Sequence, residues 1–459
     1  MLTKLTLSNF RGFDDEVTVN FRPITVLIGH NNAGKSSIIK FLLMLQQSLT
    51  VGMPQFLTPE GNKVQLGIFS QLKNSLTDQR NLKFELVAGL SFTPAYALLR
   101  YMENQNIDNV KIYDGKLLAK VGADISYGGQ AQKGTAKHSL IDGNSGKSIL
   151  EHASKVSDDS VFLHMGSKSM RILNAEMVET EKSTQKSEDL SLKEIRKSID
   201  EIKNTIESIF RAQAESSLMD VLRYEIESIH HLSSVREESQ RVILAAPPPM
   251  TAVGQKGQYA IPHLYKLVTH NKDKYDFVRY HLEKIAGISE IQFKKASGYM
   301  HRCVAKNQKT GAEMLIANYG FGVSQCLPVF VQGAIMDPRT FLMVEQPEAH
   351  LHPTAQLDMG EFFCDLWREY GVGSIIETHS DNVLLRLRRL VAKGKISPAE
   401  ISVAYFTHKN KNGRAMPTIK NLDIKEDGSV KEDDSTKSGL PMDFFGANIL
   451  EGLKLGAGR

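Results

Sequence analysis

The residues with the clearest chemistry are Gly29-His30-Asn31-Asn32-Ala33-Gly34-Lys35-Ser36. They match the phosphate-loop pattern G-x-x-x-x-G-K-[ST] at each fixed position. Glycines at the two ends let backbone N–H groups converge on an anion, and a helix starting there adds the partial positive charge of its N-terminus. Gly29, Asn31, Asn32, Ala33, Gly34 and Ser37 are therefore candidate phosphate contacts. Lys35 is expected to reach the phosphates, and the Ser36 hydroxyl to ligate Mg²⁺. The apolar run Ile24-Thr25-Val26-Leu27-Ile28 precedes the loop and Ile38-Ile39-Lys40-Phe41-Leu42-Leu43 follows it. A buried strand, a glycine turn and a helix start are what such a site needs, and a chance glycine-rich turn would not carry both flanks.

Three further clusters could complete a nucleotide site. Thr340-Phe341-Leu342-Met343-Val344-Glu345 reads as an apolar strand ending in a carboxylate that can hold the Mg²⁺ shell near Ser36. Ile375-Ile376-Glu377-Thr378-His379-Ser380-Asp381 is another strand with a polar tip, where a histidine can donate to a terminal phosphate or to attacking water. Gly320-Phe321-Gly322-Val323-Ser324-Gln325 reads as a small-residue turn before a helix over 326–335, which makes a second anion site. His350 and His352 could suggest a metal. With no cysteine or acidic trio to complete a site, a structural role beside the nucleotide is the better expectation.

The elements that must position these groups are legible in outline. The stretches 2–10, 17–21 and 24–28 alternate or run apolar as strands do, and a helix follows through Leu45. From 64 to 177 the pattern is strand-like, with examples at 82–87, 110–113 and 120–126 separated by turn signals such as Asp114-Gly115 and Asp142-Gly143-Asn144. Over 190–229 the period changes: Ile195, Ile199, Ile202, Ile206 and Ile209 recur at helical steps, which predicts one or two amphipathic helices. The prolines at 247–249 end any helix there. A helix over 275–285, a strand over 291–295, and strands at 401–406 and near 418–420 follow. The polar stretch 425–438 is expected to be a loop, and a terminal helix is expected after Phe444-Phe445-Gly446.

The bulk numbers agree with a soluble globular protein of two or three domains. The 459 residues are 41% hydrophobic and 24% charged, with a net charge of +4, which permits nucleic-acid contact without arguing for it. Three cysteines, Cys303, Cys326 and Cys364, are too few and too scattered for a disulfide framework or a cysteine zinc site. No run reaches membrane-spanning length and no signal peptide is visible, so a cytoplasmic location without membrane attachment is expected. Arg386, Arg388, Arg389, Lys393 and Lys395 form a basic helical stretch for which a solvated face is favoured over a nucleic-acid surface.

In their order, these motifs resemble the head of ATP-binding-cassette (ABC) ATPases, and more closely the RecF/SMC-like AAA ATPases related to the OLD (overcoming-lysogenization-defect) family. The residues that carry the resemblance are Leu7-Ser8-Asn9-Phe10-Arg11-Gly12-Phe13, the phosphate loop, Gly320 to Gln325, Glu345-Gln346-Pro347-Glu348-Ala349-His350-Leu351-His352-Pro353 and Glu377-Thr378-His379-Ser380. The resemblance implies an α/β fold: an ABC/SMC-like head with a RecA-like core, a β-rich lobe and a helical insertion. The expected division is 1–180 for the N-terminal lobe, 181–245 for the insertion, 246–400 for the C-terminal lobe and 401–459 for a small α/β extension. It also implies that Arg11 lies near bound ATP and that Gly322, Ser324 and Gln325 contact the nucleotide held by an opposite subunit. His379 takes the role of the switch histidine. The competent unit is then at least a dimer.

One departure bears on catalysis. In ABC heads a glutamate follows the strand-end carboxylate and polarises the attacking water; here the residue is Gln346. An amide orients water but does not accept a proton as a carboxylate does. Either Glu348 takes over, or hydrolysis is slow and ATP acts as a long-lived clamp. With about eighty residues after His379 and no Asp-x-Asp pair with an upstream Glu among them, the Toprim nuclease that OLD proteins carry is not expected here. By analogy with the ATPases of Septu and PARIS systems, the expected role is a regulator of a separately encoded nuclease or toxin in anti-phage defence, triggered by a phage protein or DNA. The alternative is a RecF-like ATPase that clamps DNA in repair.

Overall fold

The computed structural model describes residues 1–50, 57–67, 69–72, 81–89, 117–128, 131–142, 148–156, 223–244 and 251–432. The expected strand at 110–113, residues 181–222 of the expected helical insertion, the prolines at 247–249 and the terminal helix lie outside the described residues. In chain order the strands begin with β1 (Leu2–Ser8), β2 (Val17–Asn20) and β3 (Ile24–Gly29), then helices α1 (Lys35–Thr50) and α2 (Phe69–Leu72). Four strands follow, β4 (Asn81–Gly89), β5 (Leu117–Gly128), β6 (Ala131–Asp142) and β7 (Ser148–Val156), then β8 (Ile229–Leu232) and β9 (Ile243–Leu244). Next come α3 (Ala260–His270), α4 (Lys272–Ala286), β10 (Ile288–Ser297), β11 (Met300–Asn307), β12 (Glu313–Leu315) and α5 (Phe321–Ile335). The chain continues through β13 (Phe341–Glu345), α6 (Pro353–Tyr370), β14 (Gly373–Glu377), α7 (Asp381–Ala392), β15 (Ile401–Lys411), β16 (Arg414–Ile424) and β17 (Val430–Glu432).

The chain divides into two compact units. One comprises Met1–Glu16 and Lys40–Glu227, the other Val17–Ile39 and Ser228–Arg459. In the first unit β1, β4, β5, β6 and β7 pair in succession as an antiparallel sheet, in keeping with the strand-like pattern read from the sequence. Phe10 stacks edge-on against Phe41, and Phe41 against Phe84, with centroids 5.2 Å apart in both pairs. The same unit buries the Glu225 carboxylate 3.0 Å from the N-terminal ammonium.

The second unit is built on a seven-stranded sheet in the order β17-β16-β15-β3-β14-β13-β8. The five strands from β15 to β8 run parallel, and β16 and β17 add antiparallel at one edge. Strands covered on both faces should be apolar throughout, and β3 (ITVLIG) is buried at all six positions. Helix α5 is apolar all round, as a helix enclosed in a core must be, with twelve of its residues buried. Its Gln332 is not wasted: the side-chain oxygen accepts from Val253 N–H at 2.8 Å. A smaller sheet of β10, β11 and β12, joined by β9, completes the unit.

Two boundaries differ from expectation. Residues 401–432 do not stand apart as a C-terminal extension, because β15 pairs in parallel with β3 from Ile401↔Ile24 to Phe406↔Gly29. Residues 17–39, expected in the N-terminal lobe, belong to the second unit. The physical reason is the same in both cases: strand partners far apart in sequence leave no trace in local periodicity. The polar stretch after 424 is also not all loop, since Val430–Glu432 pairs with β16.

Candidate nucleotide site

The phosphate loop follows β3 and is fixed by its neighbour β15. Gly29 has φ +142°, and a Cβ there would lie 2.0 Å from the Phe406 carbonyl oxygen. No other residue fits that close approach. His30 N–H donates to the same Phe406 oxygen at 3.0 Å, and His30 Nε2 lies 3.0 Å from Tyr405 Oη. Asn32 and Gly34 also take positive φ, +57° and +100°, so the loop turns back over itself before α1 starts at Lys35. Asn31 and Asn32 are exposed, and Ala33 is buried.

Lys35 is buried, and its Nζ donates to the Gly29 and His30 carbonyls at 2.8 Å each. Burial holds its pKa below the usual lysine value, opposed by the charge of Glu377. The Ser36 hydroxyl donates to Glu377 Oε1 at 3.0 Å. The sequence reading paired Ser36 with Glu345. Instead Glu345 accepts from His231 Nε2 at 2.7 Å, and Glu377 is the carboxylate in contact with Ser36. The strand order explains why: β14 lies between β3 and β13, so the last residue of β14 reaches the loop first. A glutamate closing the buried run Ser374-Ile375-Ile376 was the available signal for Glu377; nothing in the sequence marked His231.

Glu345 and Glu377 are register partners across β13 and β14. Burial first, and the Glu345 charge second, raise the Glu377 carboxyl to about 7, against the pull of Ser36 and Lys35. Its second oxygen is buried and has no hydrogen-bond partner. Glu348 is likewise buried. One of its oxygens accepts from His379 N–H at 3.0 Å, and the other is unpartnered. Burial raises its pKa, opposed by hydrogen bonds from Thr378 and its own backbone, then by the His379 N–H and the Arg236 charge. Gln346 takes φ +45° and donates its N–H to the Glu377 carbonyl at 2.7 Å. That turn sets Glu348 back toward the β14 tip. The His379 side chain is exposed. Partial burial and then the Lys35 charge lower its pKa.

The second anion site was expected in a turn ahead of a helix. The helix begins earlier, at Phe321, so Gly322, Ser324 and Gln325 lie within its first turns. A Cβ on Gly322 would meet the His350 carbonyl at 2.9 Å, and the Phe321 and His350 rings meet edge-on at 4.6 Å. The beginning of α5 is therefore packed on the segment that follows β13. Ser324 is buried, with its hydroxyl 3.2 Å from both the N–H and the hydroxyl of Ser239. The Gln325 amide is committed at both ends to the Arg236 backbone, so Gln325 serves the internal packing of this unit. Sequence patterning marks Arg236 and Arg241 only as basic residues ahead of the proline stretch that could face an interface; Arg236 is instead buried within this unit on the Gln325 and Glu345 carbonyls. His352 caps α6 through its ring nitrogen, which accepts from Thr354 N–H.

Arg11 belongs to the other unit. There it takes φ +52° and donates its N–H to the Leu72 carbonyl at 2.6 Å. The basic helix α7 is largely committed within the second unit: Arg386 pairs with Asp358 and Glu361, and Arg388 donates to the Gly428 carbonyl. No described helix is long and apolar enough to cross a membrane.

Among solved structures the chain is similar to SMC heads. These include the Smc head domain with an extended coiled coil bound to the C-terminal domain of ScpA from Pyrococcus furiosus (11% identity, 99% of each chain, TM-score 0.39). A SmcHead bound to the C-winged helix domain of ScpA gives 10% identity over 92% of this chain and 98% of that one, with TM-score 0.42. The SMC head domain from Thermotoga maritima gives 10% identity over 91% and 98%, with TM-score 0.37. No curated protein matches the chain. The family assignment rests instead on a model that spans most of the sequence. The AAA ATPase domain matches residues 1–384, and the chain belongs to that family of ATPases.

Proposed function

We propose that this chain binds Mg–ATP at the phosphate loop and hydrolyses it slowly, as a switch rather than a motor. The observation that carries the reading is the convergence of Lys35, Ser36 and Glu377 at the carboxyl ends of parallel strands, with Glu345 and Glu348 beside them. Ligands of open α/β sheets bind at that edge. The donor set suits a hard cation: a hydroxyl, two adjacent carboxylates and a buried carboxylate oxygen without a partner. Ser36, Glu377 and Glu345 would hold Mg²⁺, which when bound offsets charge on the phosphates.

Within this reading Lys35 exchanges its loop carbonyls for phosphate oxygens. Glu348, with one oxygen anchored by His379 N–H and the other unpartnered, is the better proton acceptor for an attacking water than the amide of Gln346. His379 donates a hydrogen bond to the terminal phosphate or to the attacking water. Gly322 and Ser324 face the nucleotide of a second copy, so that two heads close around ATP. The resemblance to defence ATPases supports a further step, in which the nucleotide state of the dimer restrains or releases a separately encoded nuclease or toxin when a phage protein or DNA is sensed.

The first test is nucleotide binding and phosphate release by the purified chain and by Lys35→Ala. The expected result is binding by the wild type, with turnover below the enzyme median of about 10 per second, and loss of both in the variant. Equal binding by Lys35→Ala would refute the site. Tagged chain co-expressed with its neighbouring genes should then retain a stoichiometric partner in an ATP-dependent manner; recovery of the chain alone would refute the effector step.

A further inference from the structure

Arg236 is 3% exposed, yet among the described residues no carboxylate lies in salt-bridge contact with it. A guanidinium is among the costliest groups to bury, and one held without a direct counter-ion needs another reason to be there. Its bonds indicate the reason. Nη1 donates to the Gln325 carbonyl in the first turns of α5 at 3.2 Å, and Nη2 to the Glu345 carbonyl at the end of β13 at 2.5 Å. Its own N–H and carbonyl are taken by the Gln325 side chain at 3.3 and 3.1 Å. Three residues on, Ser239 holds the Ser324 hydroxyl. The segment is pinned further by Ser233 N–H to the Gln255 carbonyl and Glu237 N–H to the Lys256 carbonyl.

From this geometry we infer that Arg236 is a positioning residue, tying the first turns of α5 to the turn that carries Glu348, so that events at Ser324 set the carboxylate that acts on water. This rests on the reading of the site as an ATPase. The Glu345 carbonyl is one peptide before Gln346 and three residues before Glu348, so a shift of the Arg236 fork moves the turn directly. Ser324 Oγ is held by Ser239, and its engagement with a phosphate would release Ser239 and load the segment that holds Arg236. The guanidinium also supplies positive charge close to Glu348 without occupying its unpartnered oxygen. A lysine keeps the charge but has no planar fork to bridge two carbonyls.

The test measures kcat and KM for Arg236→Lys and Arg236→Met in the full chain, each also combined with Glu348→Gln. Arg236→Lys should lower kcat about ten-fold with KM within about two-fold, and Arg236→Met about a hundred-fold. In the Glu348→Gln background Arg236→Lys should cost less than about two-fold, because the group it positions is already disabled. If Arg236→Met loses its cooperative melt, the lysine variant alone decides. Full kcat in Arg236→Lys, a rise in KM at constant kcat, or the same ten-fold loss in both backgrounds would overturn the inference. A wild-type chain without turnover removes the ATPase reading and this inference together, whereas wild-type turnover matched by Arg236→Lys removes only the inference.

Discussion

Replacing Glu377 by glutamine keeps the side chain's shape and an acceptor for Ser36 while removing the ionisable group. In the folded chain burial and the Glu345 charge raise this carboxyl to about 7, whereas an unfolded chain ionises it near ~4.3. A raised folded pKa means that the folded state binds the proton more tightly. The ionised form then costs almost nothing below about pH 4; the cost grows as pH rises through the two values and is complete above the folded one. Worked from these values, it is about 3.6 kcal/mol at pH 8 and about 1 kcal/mol at pH 5. Glu377 is buried, so solvent screening does not reduce the figure. For a unit of this size each kcal/mol moves the melting point by about 2 °C. Glu377→Gln should therefore melt about 7 °C above the wild type at pH 8 and about 2 °C above it at pH 5, in chelator and without nucleotide. With Mg²⁺ and ATP the order should reverse, since the wild type alone offers the carboxylate. A gain of equal size at both pH values, or a loss at pH 8, would refute the claim that this carboxylate is held at a cost for a cation.

Other perturbations test separate parts of the site. Gly29→Ala places a Cβ against the Phe406 carbonyl at a positive φ, and should cost more than about 3 kcal/mol in a thermal melt together with ATP binding; an unshifted melt would show that β15 does not constrain the loop. Ser324→Arg should abolish ATP-dependent dimerisation in light scattering while nucleotide binding persists, and a dimer that survives would remove the opposed-head arrangement. Glu348→Gln should retain binding but slow phosphate release about a hundred-fold, in line with loss of a general base; unchanged release would pass that role to Gln346.

The sequence exposed this site unevenly. Lys35, Ser36 and the glycines were legible because a phosphate loop is contiguous, and its chemistry demands those residue types at fixed spacing. Glu345 and His379 were legible as the polar ends of apolar strands, and Glu348 through the family resemblance and the amide at Gln346. Which carboxylate meets Ser36 was not, because that depends on β14 lying between β3 and β13, and strand order is a property of pairing between distant segments. The internal role of Arg236, a residue the sequence offers only for an interface, was hidden for a related reason: it acts through backbone carbonyls, which any sequence supplies. Helix α5 begins five residues before the expected start because Phe321 and Gly322, read as a turn, are packed on His350 and Ser324 is held by Ser239, which override their own propensity.

The seating of β3 between β14 and β15 also constrains the order in which the protein can assemble. Its hydrogen-bonded neighbours are made some 350 and 375 residues later, as the contacts from Ser36 to Glu377 and from His30 to Tyr405 record. During synthesis the phosphate-loop strand must wait with both edges open until β14 and β15 have emerged. Long-range closure of this kind is slow, and unpaired apolar strands invite association with other chains meanwhile. A ribosome-bound chain stopped short of residue 401 therefore presents the full phosphate-loop sequence without the Phe406 carbonyl that shapes it. Nucleotide binding thus becomes a late event in biogenesis, and truncations before β15 should fail to bind ATP although every residue of the loop is present.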